Sequence, residues 1–191
     1  GKGVFWYDEG ADRFRRVAGS EKIPAAISAC LRQTSDSTYL LAAGSFYQIK
    51  YIPARNKYIL DRTTGPGGLT QGPVGYFYID RLGNCYLNVN SAQTLVVGAD
   101  GRLAQLPLNN LKSAWEMPDG KTLWLATTYG LAKINLQQPS DIQLFDESNG
   151  LPNQYLYSVV ADSAGYLWLS SNKGILRFDP RYVQAAEAVR S

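Results

Sequence analysis

"GYLWLSSNKGILRFDP", residues 165–180, has an earlier counterpart in "KTLWLATTYGLAKINL", residues 121–136. Both stretches contain Leu-Trp-Leu followed by a glycine, and equivalent residues, such as Trp124 and Trp168, are 44 positions apart. Internal repeats with periods of about 20 to 50 residues are typical of solenoids, propellers and other repeat arrays. The repeat therefore decides which fold class the sequence predicts.

Two weaker copies extend the repeat towards the amino terminus. Asp162-x-x-Gly165 precedes Trp168, and Asp80-x-x-Gly83 precedes Tyr86 at the same spacing. A more divergent copy, "SDSTYLLAAGSFYQIKY", has Leu40 in the place of the aromatic residue. The anchors Leu40, Tyr86, Trp124 and Trp168 are thus separated by 46, 38 and 44 residues.

Each copy divides into short strands separated by turn residues. In the last copy "YSVVAD", "YLWLSS" and "ILRFDP" are rich in β-branched and aromatic residues, and "SAG" and "NKG" separate them. Complete copies add a fourth strand, such as "DIQLF" at 141–145 or "RLAQL" at 102–106. Four antiparallel strands every 40 to 45 residues or so predict a β-propeller. We therefore predict an all-β propeller fragment of about four blades of four-stranded antiparallel sheets.

The same count predicts how the chain is divided. We expect a single partial propeller domain over residues 1–191, beginning and ending inside a blade. The predicted units are the last strands of a preceding blade at 3–17, blades at 23–60, 72–106 and 109–145, and an incomplete blade at 153–191. Only "VQAAEAVR" near the end has a helix-forming composition.

Composition excludes several function classes. The net charge of +3 comes from scattered basic residues, and no apolar run is long enough to span a membrane, so we predict neither nucleic-acid binding nor membrane contact by this segment. The chain has no histidine, which removes Ser-His and Cys-His nucleophile systems and the commonest zinc ligand. We predict no catalytic residues, no metal site and no cofactor. Cys30 and Cys85 are expected to be small buried residues, and their redox state stays open.

The last copy resembles the repeat of the two-component regulator propeller family. The resemblance rests on Gly-Leu-Pro at 150–152, Asp162-x-x-Gly165, Leu167-Trp168, and Arg-Phe-Asp-Pro at 177–180. It weakens towards the amino terminus, where "GVFWYDEGADRFRRV" at 3–17 is similar to the tail of another unit. It implies the extracytoplasmic sensor region of a bacterial hybrid two-component sensor histidine kinase, located in the periplasm, with the kinase chemistry elsewhere in the parent chain. The ligand that the resemblance implies is an oligosaccharide.

Residues that recur in every unit are expected to serve structure. We predict that Tyr86, Trp124 and Trp168 pack one blade against the next, and that Asp80 and Asp162 accept hydrogen bonds from backbone N–H groups of their own turns. Ligand binding should then use the loops that differ between units. In an up-and-down blade, the connection between blades emerges on the same face as the turn between the second and third strands. The amides, hydroxyls and aromatic rings predicted on this face are Gln71, Asn90, Gln93, Thr128, Tyr129, Asn153, Gln154, Tyr155, Asn172 and Lys173.

Two other functions stay open at this point. One is a propeller that acts only as a protein-interaction scaffold, and the other is a propeller lyase. The expected partners are an oligosaccharide or other small ligand and the other blades of the parent propeller. An open arc also exposes apolar blade faces and strand edges, so we expect the fragment to self-associate.

Overall fold

The structure is a computed structural model that describes residues 3–23, 30–69, 74–90 and 92–181. Within these ranges the chain forms 17 strands in antiparallel sheets. No helix among the described residues is long and apolar enough to cross a membrane. The helix-forming "VQAAEAVR" and the predicted site residue Gln71 lie outside the described residues.

The strands are short and most end at a turn. In chain order they are β1 (Phe5–Asp8), β2 (Arg13–Arg16), β3 (Cys30–Ser35), β4 (Thr38–Ala42), β5 (Phe46–Ile52), β6 (Lys57–Thr63), β7 (Val74–Ile79), β8 (Cys85–Val89), β9 (Gln93–Val97), β10 (Leu103–Asn109), β11 (Leu111–Glu116), β12 (Thr122–Thr127), β13 (Gly130–Asn135), β14 (Gln138–Phe145), β15 (Leu156–Ala161), β16 (Leu167–Ser171) and β17 (Gly174–Phe178). Short 3-10 turns occur at Ser20–Lys22, Pro53–Arg55, Pro66–Gly68 and Glu147–Asn149.

The strands pair only with their neighbours in sequence. We call β3–β6 blade 1, β7–β10 blade 2, β11–β14 blade 3 and the three-stranded β15–β17 blade 4; β1 and β2 form a separate amino-terminal hairpin. The first strands of successive blades contact each other, β3 with β7, β7 with β11 and β11 with β15. This order is that of a propeller fragment and confirms the predicted fold class.

Hydrophobic clusters lie between successive sheets. Strand β12 is buried on both of its faces. Leu123 and Leu125 pack in a cluster with blade 2, whereas Trp124 and Ala126 pack in a cluster with blade 4. Successive side chains of a strand point to opposite faces, so a strand buried on both faces needs apolar residues at every position. Trp124 is 1% exposed and Tyr86 is fully buried, as predicted for residues that join blades.

Trp168 differs from its counterpart in blade 3. It is 40% exposed, although its neighbours Leu167 and Leu169 are buried against blade 3. The reason is its place in blade 4: the described residues include no sheet on the face that carries Trp168.

The first strands of three blades share an irregularity near their beginning. The register shifts between Val74 and Tyr76, between Leu111 and Ser113, and between Leu156 and Ser158. One residue is left unpaired in each case, namely Gly75, Lys112 and Tyr157. Such bulges bend a strand and re-aim a side chain, and here they recur at the same place in the repeat.

Both cysteines are free and buried in one cluster between blades 1 and 2. The Cys30 sulfur lies 3.7 Å from the backbone carbonyl oxygen of Phe77. Burial raises the pKa of the Cys85 thiol to about 12, because a thiolate would be poorly solvated there.

Candidate functional site

The connections between blades lie beside the turns between second and third strands. The backbone N–H of Asn172, in the β16–β17 turn, donates to the carbonyl oxygen of Tyr155 across 3.3 Å. In the preceding pair of blades, the N–H of Asn110 donates to the carbonyl oxygen of Ala92 across 2.8 Å. These bonds confirm the expected geometry, in which linkers and turns share one face of the propeller. We call this surface the loop face.

The turns of blades 3 and 4 are built alike. The hydroxyl of Thr127 donates to the carbonyl oxygen of Gly130, and that of Ser171 donates to Gly174, each across 2.9 Å. Both hydroxyls also accept a backbone N–H two residues on, from Tyr129 and Lys173. Thr127 and Ser171 thus close the two turns, and Tyr129, Asn172 and Lys173 project from them as exposed side chains.

The predicted site residues divide by exposure. Thr128 and Asn153 are buried, at 6% and 4% exposure, Gln154 is half-buried, and Gln71 lies outside the described residues. The exposed ones are Asn90, Gln93, Tyr129, Tyr155, Asn172 and Lys173. A role in ligand contact stays a prediction for all of them.

Asn153 organises the linker between blades 3 and 4. Its amide nitrogen donates to Glu147 Oε1 across 3.3 Å, and its amide oxygen accepts from the backbone N–H of Tyr155 across 3.2 Å. The linker begins with a reciprocal cap. The Asp146 carboxylate accepts from the backbone N–H of Ser148, and the backbone N–H of Asp146 donates to the side-chain amide oxygen of Asn149. The hydroxyl of Ser148 is the main cause that lowers the pKa of Asp146. These polar groups hold the loop that presents Tyr155.

Tyr155 has an aromatic neighbour that sequence reasoning missed. The ring of Tyr157 lies 5.3 Å from that of Tyr155, centroid to centroid, and Tyr157 is 49% exposed. Tyr157 is the unpaired residue at the bulge of β15, and a reading of "YSVVAD" as a regular strand gives no reason to expect it at the surface. No residue pattern signals this bulge: at the 44-residue spacing Tyr157 aligns with Ser113, and only the strand pairing places it with Lys112 and Gly75.

Tyr155 and Tyr157 therefore form an exposed aromatic pair on the loop face, with Asn172 bonded to the backbone of Tyr155. Lys173 follows in the same turn and adds a positive charge. In blade 2, Asn90 follows β8 and Gln93 begins β9. A hydrogen bond joins Asn172 to Tyr155, whereas no hydrogen bond between described residues joins Asn90 or Gln93 to this group.

A cavity of about 290 Å³ opens beside the same linker. Leu151 and Pro152 line it on one side, and Leu176 and Phe178 of β17 on the other. None of the predicted site residues lines this cavity. Among the described residues no group of three or more histidine, cysteine or acidic side chains is placed to hold a metal ion.

Comparison with known proteins gives one family match. Residues 150–173 match the family described as "Two component regulator propeller". The matched segment contains the end of the linker, β15, the Asp162 turn, β16 and the start of the β16–β17 turn. No curated protein matches the sequence.

Several solved structures share the fold. The extracellular domain of a putative hybrid two component system from B. thetaiotaomicron is 18% identical, with 91% of this chain and 23% of that chain covered and a TM-score of 0.61. PorZ of Porphyromonas gingivalis, an essential bacterial surface component of the type-IX secretion system, is 14% identical, with 93% of this chain and 29% of that chain covered and a TM-score of 0.70. A streptogramin B lyase is 16% identical, with 84% and 54% covered and a TM-score of 0.57. The chain spans 21 to 23% of the lengths of three B. thetaiotaomicron extracellular domains that it matches.

Proposed function

We propose that this chain is part of an extracytoplasmic, periplasmic propeller that senses a ligand for a bacterial two-component system, on the basis of the match of residues 150–173 to the two component regulator propeller family. In this proposal the segment itself is non-catalytic. The kinase chemistry belongs to another part of the parent chain.

The observation that carries the proposal is where the matched segment lies. It spans Asn153, Tyr155, Tyr157 and the turn at Asn172, so the unit most similar to the family also supplies the aromatic pair of the loop face. A rigid blade that holds variable, exposed side chains on its loops is the usual arrangement for recognition.

We propose an oligosaccharide as the ligand class. Exposed tyrosine rings suit the apolar faces of sugar rings, while amide groups both donate and accept hydrogen bonds with hydroxyls. Tyr155 and Tyr157 supply the first, and Asn172 and Gln154 the second. Lys173 adds a cation that would favour an acidic sugar over a neutral one of the same length.

The test is calorimetric titration of the chain with a panel of neutral and acidic oligosaccharides. We expect at least one member to bind, and Tyr155→Ala with Tyr157→Ala to weaken that binding about tenfold or more, because each lost stacking contact is worth on the order of 1 kcal/mol. Phe14→Ala removes an exposed aromatic ring from the amino-terminal hairpin and serves as the matched control. Binding that survives the tyrosine changes, or silence from the whole panel, would remove support for a sugar site here.

A second candidate is an interaction scaffold. The likeness to PorZ, described as a surface component of a secretion system, favours it, although at 14% identity this likeness extends to the fold alone. A lyase has less support, because the chain has no histidine and the turn carboxylates of Asp80 and Asp162 are already committed to hydrogen bonds. Incubation of any bound sugar with the chain separates the sensor from the lyase, since a sensor returns the ligand intact.

A further inference from the structure

The turn between the first two strands of blade 3 departs from the repeat at one position. In blade 4, the backbone N–H of Asp162 donates to the carbonyl oxygen of Tyr166, and the carbonyl oxygen of Asp162 accepts from the backbone N–H of Gly165. In blade 3, Met117 makes the same two bonds: its backbone N–H donates to the carbonyl oxygen of Thr122, and its carbonyl oxygen accepts from the backbone N–H of Gly120. Met117 therefore stands where Asp162 stands in blade 4, and the blade 3 turn contains one extra residue.

This replacement removes a hydrogen-bond acceptor from an indole. In blade 4 the Trp168 Nε1–H donates to Asp162 Oδ2 across 2.8 Å. In blade 3 the Nε1 of Trp124 is buried and has no partner among the described residues. A buried donor left without an acceptor costs about 1 to 3 kcal/mol. Trp124 is 1% exposed, so very little of this residue meets bulk solvent.

A cavity of about 180 Å³ lies at this place, on the face opposite the loop face. Met117 and Trp124 both line it, so the indole and the residue that replaces its acceptor share the same space. Ala164 and Pro180 of blade 4 add apolar wall, and the ammonium side chain of Lys133 adds charge. Lys133 is the cross-strand neighbour of Trp124, which places the two side chains on the same face of blade 3.

The charges around the cavity leave one cation available. Asp119 also lines it, but its Oδ1 accepts from the N–H groups of Lys121 and Thr122 and its Oδ2 from the Thr122 hydroxyl. The guanidinium of Arg181 is paired with Asp179 across 2.8 Å. Lys133 forms no ion pair with any residue that the structure describes.

We propose that this cavity binds a small carboxylic acid with an apolar body. Its carboxylate accepts the hydrogen bond of Trp124 Nε1 and pairs with Lys133, which is the charge-assisted geometry that carboxylates favour. Its apolar part lies against Met117, Ala164 and Pro180. The bound carboxylate thereby supplies to Trp124 the acceptor that Asp162 supplies to Trp168 in blade 4. This site is separate from the loop face and does not depend on the proposed sensing of a sugar.

The indole N–H signals of the ¹⁵N-labelled chain test the proposal, with Trp→Phe variants assigning each signal. Sodium butyrate is the probe, butanol is the uncharged probe of similar body, and sodium chloride controls for ionic strength. We expect butyrate to move the Trp124 signal saturably and to leave the Trp168 signal in place, because Trp168 already donates to Asp162. Butanol and chloride should produce no such movement.

Two variants make the test decisive. Lys133→Met should weaken butyrate binding about tenfold or more, whereas Lys173→Met, on the loop face, should leave it unchanged. Met117→Asp restores the carboxylate of the repeat, so the Trp124 signal should move towards that of Trp168 without butyrate and should no longer respond to it. The proposal is overturned if the Trp124 signal never responds to butyrate, if it responds equally to butanol, or if Lys133→Met leaves the affinity for butyrate unchanged. These outcomes can be measured even if Met117→Asp does not fold.

Discussion

Asp162 ties Trp168 to the turn that precedes it. Its Oδ2 accepts the indole N–H of Trp168 across 2.8 Å, while Oδ1 accepts the backbone N–H groups of Ala164 and Tyr166 across 2.9 and 3.0 Å. In blade 2, Asp80 is arranged in the same way towards Leu82 and Asn84, and its Oδ2 lies 3.4 Å from the Tyr86 hydroxyl. The spacing of Asp and aromatic residue that blades 2 and 4 share thus serves hydrogen bonding as well as packing.

The first prediction concerns the pH dependence of stability. The hydrogen bond from Trp168, followed by those from the turn, lowers the pKa of Asp162. A group whose pKa is lower in the folded state stabilises the protein above its unfolded pKa, near 4, and loses that contribution as the pH falls through the folded pKa. The stability gap between the native chain and Asp162→Asn should therefore be largest above about pH 5 and should shrink on acidification. Urea denaturation between pH 6 and pH 3 measures it, and a gap that widens towards low pH would contradict the assignment.

The second prediction compares two tryptophans at equivalent positions. Trp124→Ala should destabilise the chain by about 3 to 5 kcal/mol, because it opens a cavity between blades 3 and 4 where Phe145 and Phe178 now pack against the indole. Trp168→Ala should cost clearly less, because the 40% exposed ring leaves a smaller void. Denaturant unfolding of both variants gives the order. Equal losses would mean that the two blades are packed alike.

The sequence predicted the parts of the fold in which a residue type has a single structural role. The 44-residue spacing of Trp124 and Trp168 predicted the blades. The almost wholly apolar sequence around Trp124 predicted a buried strand, because β12 lies between two sheets and is apolar on both faces. The loss of the Asp at Met117 was not apparent, because Pro118-Asp119-Gly120 resembles a displaced copy of the turn and only the backbone hydrogen bonds fix the register. The exposure of Tyr157 depends on a bulge, which leaves no residue pattern of its own.

The third prediction concerns the contact between blades 2 and 3. Arg81 pairs with Glu116 and donates to the carbonyl oxygen of Met117, while the Tyr78 hydroxyl donates to Glu116 Oε2 across 3.1 Å. The Glu116 side chain is 8% exposed, so Arg81→Met leaves a nearly buried carboxylate without its cation. We expect a loss of about 2 kcal/mol, reduced from the fully buried case because Arg81 is half exposed.

Arg102 provides the matched control for that experiment. It pairs with Asp100 across 3.4 Å, but both side chains are largely exposed. Exposed pairs contribute at most about 1 kcal/mol, so Arg102→Met should change the free energy of unfolding by about 0.5 kcal/mol or less. If Arg102→Met lowers the free energy of unfolding more than Arg81→Met does, burial of Glu116 does not determine how much the interblade pair stabilises the chain.

The fourth prediction concerns self-association. Val160, Trp168 and Ile175 are 45%, 40% and 73% exposed, and the strand register places them on one face of blade 4. An apolar sheet face of this kind favours pairing with another surface. We expect sedimentation velocity to show association that increases with concentration, and Ile175→Lys to reduce it while leaving the unfolding midpoint nearly unchanged. A chain that stays monomeric at the highest concentration would show that this face is not sufficient.

The fifth prediction concerns the thiols of the cluster between blades 1 and 2. Burial raises the pKa of Cys85 to about 12, and the side chains of Cys85 and Cys30 are 2% and 7% exposed. Only the thiolate reacts with a disulfide reagent, so at pH 8 native Cys85 should react much more slowly than an unperturbed, exposed thiol. Ellman titration should find both thiols in denaturant and neither within minutes in the native chain, with Cys30→Ala isolating the Cys85 rate. Fast reaction of Cys85 without denaturant would contradict the prediction, because it would show that the cluster between blades 1 and 2 opens readily in the native chain.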